Sequence, residues 1–450
     1  MIGAALAREL VRREPTAALW GLGSQNMREA GVELLTDSAT YGAIGIVEAL
    51  AVAPRILIQS MQVVKRTLRS RRPDVVVLID FGFFNIRVAR FAKSIGLKVV
   101  YYFPPGAWRR DSAANPELAR VTDLVATPFS WSLDRLREAG ANAHYVGHPL
   151  LERIQPTMTR AEFCAQFGMD PASPVIGLLP GSRRHEVVHI MPLLLQAARC
   201  IYKSLPDSQF IVGVAPGMSQ EMMAGFLKGN DEFLGKINDI WHEFAQEAET
   251  RVVKRVTRTA RNLGHAGQRV VTTSGVVLPL EALRSGPAQD AERAIDRRSS
   301  RRLPPTVLAK GVTTEIMAHS NVLLTCSGTA TLEAAVLQTP MVVVYRGSAL
   351  MGLEYTLRGL RKKIPNIALP NILARARIVP ELIQQDATPT AVADCAIELL
   401  NNVEARARAR QALGEVRDML GSPGATQRTA SLVLAVARGE SPQEVASEQQ

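Results

Sequence analysis

Two short segments combine residue types and spacings that suit phosphate chemistry. Leu178-Leu179-Pro180-Gly181-Ser182-Arg183 follows the strand-like Val175-Ile176-Gly177 and runs into a helix-like stretch from Arg184. Ser327-Gly328-Thr329 follows Asn321-Val322-Leu323-Leu324-Thr325 and leads into a second helix-like stretch through Glu333. A Gly/Ser/Thr turn that opens a helix presents unpaired backbone N–H groups and the positive end of the helix dipole. Arg183 adds a planar fork suited to bidentate phosphate binding. Two such turns in one domain predict a diphosphate site, and with it a nucleotide-activated substrate. The plainer alternatives are a surface arginine beside a turn and an ordinary helix cap at 327–329.

The elements that must hold these turns alternate along most of the chain. Pro73 to Asp80 reads as a buried parallel strand ending in an acid. A helix is expected over Asn85–Ser94, then strands at Lys98–Tyr102 and Leu124–Ala126. This βα alternation predicts a doubly wound parallel sheet, with ligands beyond the carboxyl ends of its strands, where Asp80 and Pro104–Trp108 would lie. A second alternating region starts near Pro174, after a helix expected at Arg160–Gly168, so a linker falls at about 147–157. Two such sheets facing one another would enclose the substrate site. Between about 229 and 305 the pattern weakens and arginines gather: Arg251, Arg255, Arg258, Arg261 and Arg269, then Arg293, Arg297, Arg298, Arg301 and Arg302. That stretch is read as a basic insertion, part helical and part mobile, either solvated or against an anionic membrane.

Composition sets bounds. A chain of 450 residues, 47% hydrophobic and 21% charged, is ordinary globular material with room for two or three domains. Its four cysteines (Cys164, Cys200, Cys326, Cys395) are scattered, which fits a reducing compartment and opposes a disulfide framework. A formal charge of +11 points to acidic partners, either phosphates or an anionic membrane surface. With 5% aromatic residues and no recognition motif, nucleic acid is not expected. The apolar region 43–64 is broken by Glu48, Pro54 and Arg55; it is too interrupted to span a bilayer but able to lie on one.

The ordered motifs resemble those of lipid-A-disaccharide synthases. Gly181-Ser182-Arg183-x-x-Glu186-Val187, Ser327-Gly328-Thr329-x-x-Leu332-Glu333, Tyr345-Arg346 and Leu369-Pro370-Asn371-Ile372-Leu373-Ala374 stand in that family's order. Ile44-Gly45-Ile46-Val47-Glu48-Ala49-Leu50 resembles its apolar M-G-x-x-E-x-L segment. Pro73-Asp74 through Asp80 and Phe84-Asn85 resemble its P-D-x-x-x-x-I-D-x-x-x-F-N strand, and Ala119–Leu124 and Gly147-His148-Pro149 also fit. The resemblance implies an α/β GT-B fold, two Rossmann-like doubly wound parallel-sheet domains facing a cleft. The corresponding division is an acceptor-side domain at 1–155, a UDP-sugar domain at 156–385, C-terminal helices at 386–438 packing back on the first domain, and a flexible tail at 439–450.

The implied reaction joins UDP-2,3-diacylglucosamine to 2,3-diacylglucosamine 1-phosphate and releases UDP. It forms a β-1,6 disaccharide with inversion. Such a displacement needs a base on the acceptor 6-hydroxyl and stabilisation of the departing diphosphate, with no covalent nucleophile, cofactor or metal. The resemblance makes Asp80 the catalytic base, or the residue that orients one; a strand-end aspartate capping the next turn is the alternative. Gly181, Ser182, Arg183, Glu186, Ser327, Gly328, Thr329, Glu333 and Asn371 fall on the UDP-sugar side, Glu333 as an acceptor for ribose hydroxyls or as a structural acid. Ile44, Ile46, Val47, Trp108 and His148 fall on the acceptor and lipid side. The expected setting is cytoplasmic, peripheral on the anionic inner membrane, and a homodimer is among the assemblies the family allows.

Three departures qualify the match. Phe83 stands where a second acid is usual, and 104–110 differs from the family's S-P-x-x-W-A-W, so a non-catalytic relative that binds acylated sugars competes with the enzyme. Another UDP-sugar enzyme of the same fold, such as an undecaprenyl-linked N-acetylglucosamine transferase or a UDP-N-acetylglucosamine 2-epimerase, is the nearer alternative. Met1-Ile2-Gly3-Ala4 match only the last four positions of the opening G-E-x-S-G-D-x-x-G-A turn, which leads to the expectation that Met1 is internal and the first strand is encoded upstream. Finally, His185-Glu186-Val187-Val188-His189 spells the H-E-x-x-H of zinc proteases. It falls where the family already places a helix and a glutamate, and no third ligand follows at a zincin spacing.

Overall fold

A computed structural model describes residues 1–37, 46–109, 115–227, 269–271, 277–279, 303–347 and 366–441. Most of the basic insertion, Ile44 and the tail beyond 441 lie outside the described residues, as do the side chains of Ile46 and Val47. Within the insertion the described residues form a short antiparallel pair, β9 (Arg269–Val271) with β10 (Val277–Pro279).

Runs of valine, isoleucine and leucine with no polar alternation make strands buried on both faces, the mark of a parallel sheet covered by helices. In the N-terminal half, β1 (Trp20–Gly23) pairs with β2 (Glu33–Asp37), both following helix α1 (Ile2–Arg13). The long helix α2 (Ile46–Arg71) leads to a separate four-stranded parallel sheet in the order β3 (Val76–Ile79), β4 (Val99–Tyr102), β5 (Leu124–Thr127), β6 (Ala143–Tyr145). Between β3 and β4 runs α3 (Gly82–Ser94). It starts three residues before the expected Asn85, because Phe81 already sits at its N-cap in a left-handed conformation. Val64 and Leu68 of α2 seal one face of the sheet with Val88, Ala89 and Ala92 of α3.

The second half holds six parallel strands: β7 (Val175–Leu179), β8 (Gln209–Val214), β11 (Thr306–Lys310), β12 (Val322–Cys326), β13 (Met341–Tyr345) and β14 (Glu381–Ile383). Their spatial order is β11-β8-β7-β12-β13-β14. The chain moves outward from β7 through β8, then restarts on the other side of β7 with β12. The strand order therefore reverses between β7 and β12, and this is where open α/β sheets bind ligands.

The chain crosses between the halves twice. It leaves the first through 146–157, including a short helix at Leu150–Arg153, and returns at 420–425 into the helix Ala425–Arg438. That last helix packs Ala430, Val433 and Val436 against Leu6 and Leu10 of α1 and against Val100, Tyr102 and Leu124 of the first sheet. The two crossings are bonded to each other. The His148 N–H donates to the Leu420 carbonyl at 2.9 Å, and Arg428 donates to the carbonyls of Val146, Pro423 and Ser422. The Glu152 carboxylate accepts from the N–H groups of Gly424 and Thr426.

Candidate active site

The two helix-opening turns are neighbours because β7 and β12 are paired, Leu179 opposite Thr325. Gly181 takes φ +121°, and a Cβ there would lie 2.7 Å from the Glu186 Cβ, so both conformation and space demand glycine. Glu186, in the first turn of the helix Arg184–Ser204, folds back beneath the loop. Its carboxylate accepts from the N–H of Ser182 (3.0 Å), the N–H of Arg183 (3.1 Å) and the Arg183 guanidinium (2.8 Å). The arginine is largely exposed and Glu186 largely buried. One carboxylate thus gathers donors of the kind a diphosphate would use. The same carboxylate leaves Glu186 no part in the zinc-like reading of 185–189.

Gly328, at the N-cap of the helix Thr329–Val336, has no side chain to cap it, and Gly328 and Thr329 are exposed. The Ser327 hydroxyl donates to the Ile367 carbonyl, tying this turn to the segment before Asn371. Asn371 itself is fully buried. Its amide donates to the Val379 carbonyl and to Glu381, and its oxygen accepts from the N–H groups of Ile378 and Val379. With both its donor and acceptor atoms engaged inside the fold, Asn371 shapes the loop behind Ser327. Glu381, which sequence reasoning missed, completes that knot by accepting from the N–H groups of Ile367 and Ala368.

At the end of β12, burial pushes the Cys326 thiol up to about 12, helped by the Glu186 charge and opposed by Arg183. Burial likewise raises the Tyr345 phenol. Glu333, one turn into its helix, is held above the usual carboxylate range by burial, and Arg153 from the first crossing lies 3.9 Å away and opposes that rise. Arg153 also reaches the Met1 sulfur, which brings the start of α1 toward this helix.

At the end of β3 in the first sheet, Asp80 takes φ +51° and Phe81 follows with φ +41°. Left-handed backbone at two successive non-glycine residues costs about 1–3 kcal/mol each and persists only where the surroundings impose it. Here the Asn85 amide donates to the carbonyls of Ile79 (3.0 Å) and Asp80 (2.8 Å), and the Tyr101 hydroxyl donates to the Asp80 carbonyl (2.8 Å). Gly82 lets Pro105 close in, since a Cβ there would meet the Pro105 ring at 2.4 Å. Asp80 is exposed, and its carboxylate has no hydrogen-bond or ion-pair partner among the described residues.

Trp108 is partly exposed beneath the Arg109 guanidinium, and Phe83 is 66% exposed with Arg87 over its ring at 4.1 Å. His148 is buried between the rings of Phe103 and Phe129, its Nδ1 accepting the Leu150 N–H. Burial first, and then Arg153, push it down to about 4, so it is a neutral packing residue of the crossing.

The structure brings Gly181, Ser182, Arg183 and Glu186 together with Ser327, Gly328 and Thr329 at the carboxyl ends of the two central strands of the six-stranded sheet. It holds Asp80 and Trp108 at the strand ends of the other sheet. The clamp on Asp80 was the main feature sequence reasoning missed; Asn85 stood in a recognised motif, but Tyr101 did not.

A family profile described as lipid-A-disaccharide synthetase matches residues 1–243 and 289–436, leaving 244–288, inside the expected insertion, unmatched. The lipid-A-disaccharide synthase of Geobacter sulfurreducens is 32% identical over 432 residues, covering 96% of this chain and 93% of that protein. The one from Nitrosococcus oceani is 30% identical over 435 residues, covering 97% and 92%. Among solved structures, the UDP-GlcNAc 2-epimerase of Neisseria meningitidis bound to UDP-GlcNAc aligns with a TM-score of 0.52 at 12% identity, covering 96% of each chain. A putative UDP-N-acetylglucosamine 2-epimerase from Listeria monocytogenes gives 0.50 at 13%, covering 98% of this chain and 94% of that one. At that identity the likeness concerns the fold, which is GT-B.

Proposed function

The chain belongs to the lipid-A-disaccharide synthase family, and from that premise we propose how its residues carry out the reaction. It is a hexosyltransferase joining UDP-2,3-diacylglucosamine to 2,3-diacylglucosamine 1-phosphate. In the proposed step the Asp80 carboxylate takes the proton of the acceptor 6-hydroxyl as that oxygen attacks the donor's anomeric carbon. The bond from that carbon to the diphosphate oxygen breaks, and UDP leaves with the electron pair. Arg183 and the N–H groups of the 181–183 and 327–329 turns meet the growing negative charge. Glu186 holds the loop's donors in place and gives them up to the diphosphate. Glu333 accepts from the ribose, and Trp108 borders the acceptor.

The observation that carries this reading is the meeting of two helix-opening turns at the reversal point between β7 and β12. The division at about 155 and 385, with C-terminal helices beyond, belongs to the same proposal. So does attachment to an anionic inner-membrane face. It is supported by Ile58 and Val63, exposed on α2, and by Lys65, Arg66 and Arg69 on the same helix. Among the described residues no helix is long and apolar enough to cross a membrane. A homodimer is the assembly proposed.

The test is UDP release by the full chain in detergent with both lipids, checked by the mass of the lipid product. Disaccharide formed by the parent and lost in Asp80→Ala supports the reading. Folded protein that binds UDP but makes no product would replace it with a non-catalytic binder.

A further inference from the structure

We propose that Asn85 and Tyr101 are positioning residues for the transfer reaction, locking the Asp80 main chain so that its carboxylate faces the acceptor hydroxyl. The inference rests on the reading of Asp80 as the base and goes beyond it.

The geometry separates two ways of using a strand-end aspartate. A capping aspartate accepts the N–H groups of the residues that follow, and its carboxylate is then consumed by the turn. At β3 another side chain does the holding. The Asn85 amide spans two successive carbonyls, Ile79 and Asp80, while the Tyr101 hydroxyl takes the second lone pair of Asp80. The Asp80 N–H is fixed on the Tyr102 carbonyl at 3.0 Å, and the Phe81 carbonyl accepts from the N–H groups of Phe84 and Asn85. The backbone is thus held on both sides of the left-handed pair Asp80–Phe81, and the carboxylate takes no part. Tyr101 is fully buried in β4, opposite Leu78 of β3, so its hydroxyl has a fixed direction. Burial and then the nearby Asp80 charge raise its pKa, opposed by the Asn85 side chain, and the hydroxyl stays protonated as an ordinary phenol does.

Loosening the clamp allows Asp80 to relax toward ordinary backbone angles and swings the carboxylate away. A displacement of about 1 Å at a reacting group costs about 100-fold in rate. Binding of UDP, on the other sheet, is untouched by it.

The experiment measures kcat, both lipid KM values, UDP affinity and the melting temperature of the full chain in detergent. The variants are Asn85→Ala, Asn85→Asp and Tyr101→Phe, each alone and combined with Asp80→Asn. Asn85→Ala is expected to lower kcat about 100-fold with UDP affinity and KM values within about twofold of the parent. Asn85→Asp, which removes the bridging donors at nearly constant size, is expected to match it. Tyr101→Phe loses one of three clamp bonds and is expected to cost about tenfold. In the Asp80→Asn background the same changes are expected to cost less than about twofold, because the group they aim is gone.

An undiminished kcat in Asn85→Ala, or an equal loss with and without the Asp80 carboxylate, overturns the positioning role and leaves only a structural one. If Asn85→Ala fails to fold, Tyr101→Phe, which deletes a single oxygen, carries the same cycle. Full activity in Asp80→Asn overturns the base reading itself. That outcome is distinct from a dead Asp80→Asn beside a fully active Asn85→Ala, in which only the clamp fails.

Discussion

The turns after β3 and β7 meet the same geometric demand in opposite ways. Each takes the chain from the carboxyl end of a parallel strand into a helix through left-handed backbone. After β7 the conformation falls on Gly181, and the loop is closed by an acid: Glu186 collects N–H groups and the Arg183 guanidinium. After β3 it falls on Asp80 and Phe81, and the loop is closed by an amide: Asn85 collects carbonyls. One turn therefore displays donors and hides its carboxylate, while the other hides its amide and displays a carboxylate. In the proposed reaction the first receives negative charge and the second receives a proton. The difference teaches that function at a strand end is decided by which side chain stabilises the backbone, since that choice determines which one is left over for chemistry.

Four experiments would break or sharpen this contrast. The largest effect is expected at the displayed acid: Asp80→Ala should lower kcat about 1,000-fold while UDP affinity stays within about twofold. A comparable loss of UDP affinity would mean that the acceptor-side turn is not separable from the donor side. Next, Arg183→Lys should lower kcat/KM about 30-fold, because a point charge cannot reproduce the planar fork; equal activity would reduce Arg183 to a surface cation. Gly181→Ala should then weaken UDP binding about tenfold by pushing Glu186 out of its place, read by titration calorimetry, whereas parent-like binding would show a loop tolerant of repacking. Glu186→Gln is a subtler change. Removing the competing charge should tighten UDP binding about threefold, and weaker binding would mean that the acid is needed to pre-form the loop.

A pH experiment probes the crossing between the halves, and its effect should be confined to acid. His148 has a native pKa near 4 against an ordinary value of about 6.5, so between those limits the unfolded chain binds the extra proton. Stability therefore rises with pH across that window and falls on acidification, by up to about 3 kcal/mol at its lower end. Melting curves from pH 7 to 4.5 should show this loss, and His148→Asn should flatten it. An unchanged slope would place the acid sensitivity elsewhere.

The sheet strands were legible because burial on both faces writes itself as unbroken Val/Ile/Leu runs, as at Val175–Leu179 and Val322–Cys326. The two helix-opening turns were legible because glycine beside hydroxyl residues, set between a strand-like run and a helix-like one, marks a strand–helix junction. The Asp80 clamp was not. Asn85 lies five residues from Asp80, but Tyr101 reaches it only through the register that sets Leu78 beside it on β3, and register is not written in spacing. His148 looked like a cleft residue within a polar Gly-His-Pro motif; its burial comes from Phe103 and Phe129, delivered by two different strands. Asn371 sat in a recognised motif, yet its partner Glu381 is ten residues on and fixes it in the interior. The apolar 44–47 segment lies where the side chains are not described.

The two crossings between the halves run side by side and are pinned to each other through His148, Glu152 and Arg428. A plate hung on two adjacent pins can swing but cannot twist or slide. Were one sheet to rotate against the other, these bonds would favour a hinge along the line through those residues. In such a rotation groups near that line, with Arg153 next to Glu152, would travel less than groups farther out. Two reactants carried on opposite plates would then meet along one fixed arc, with their mutual orientation set before either has bound.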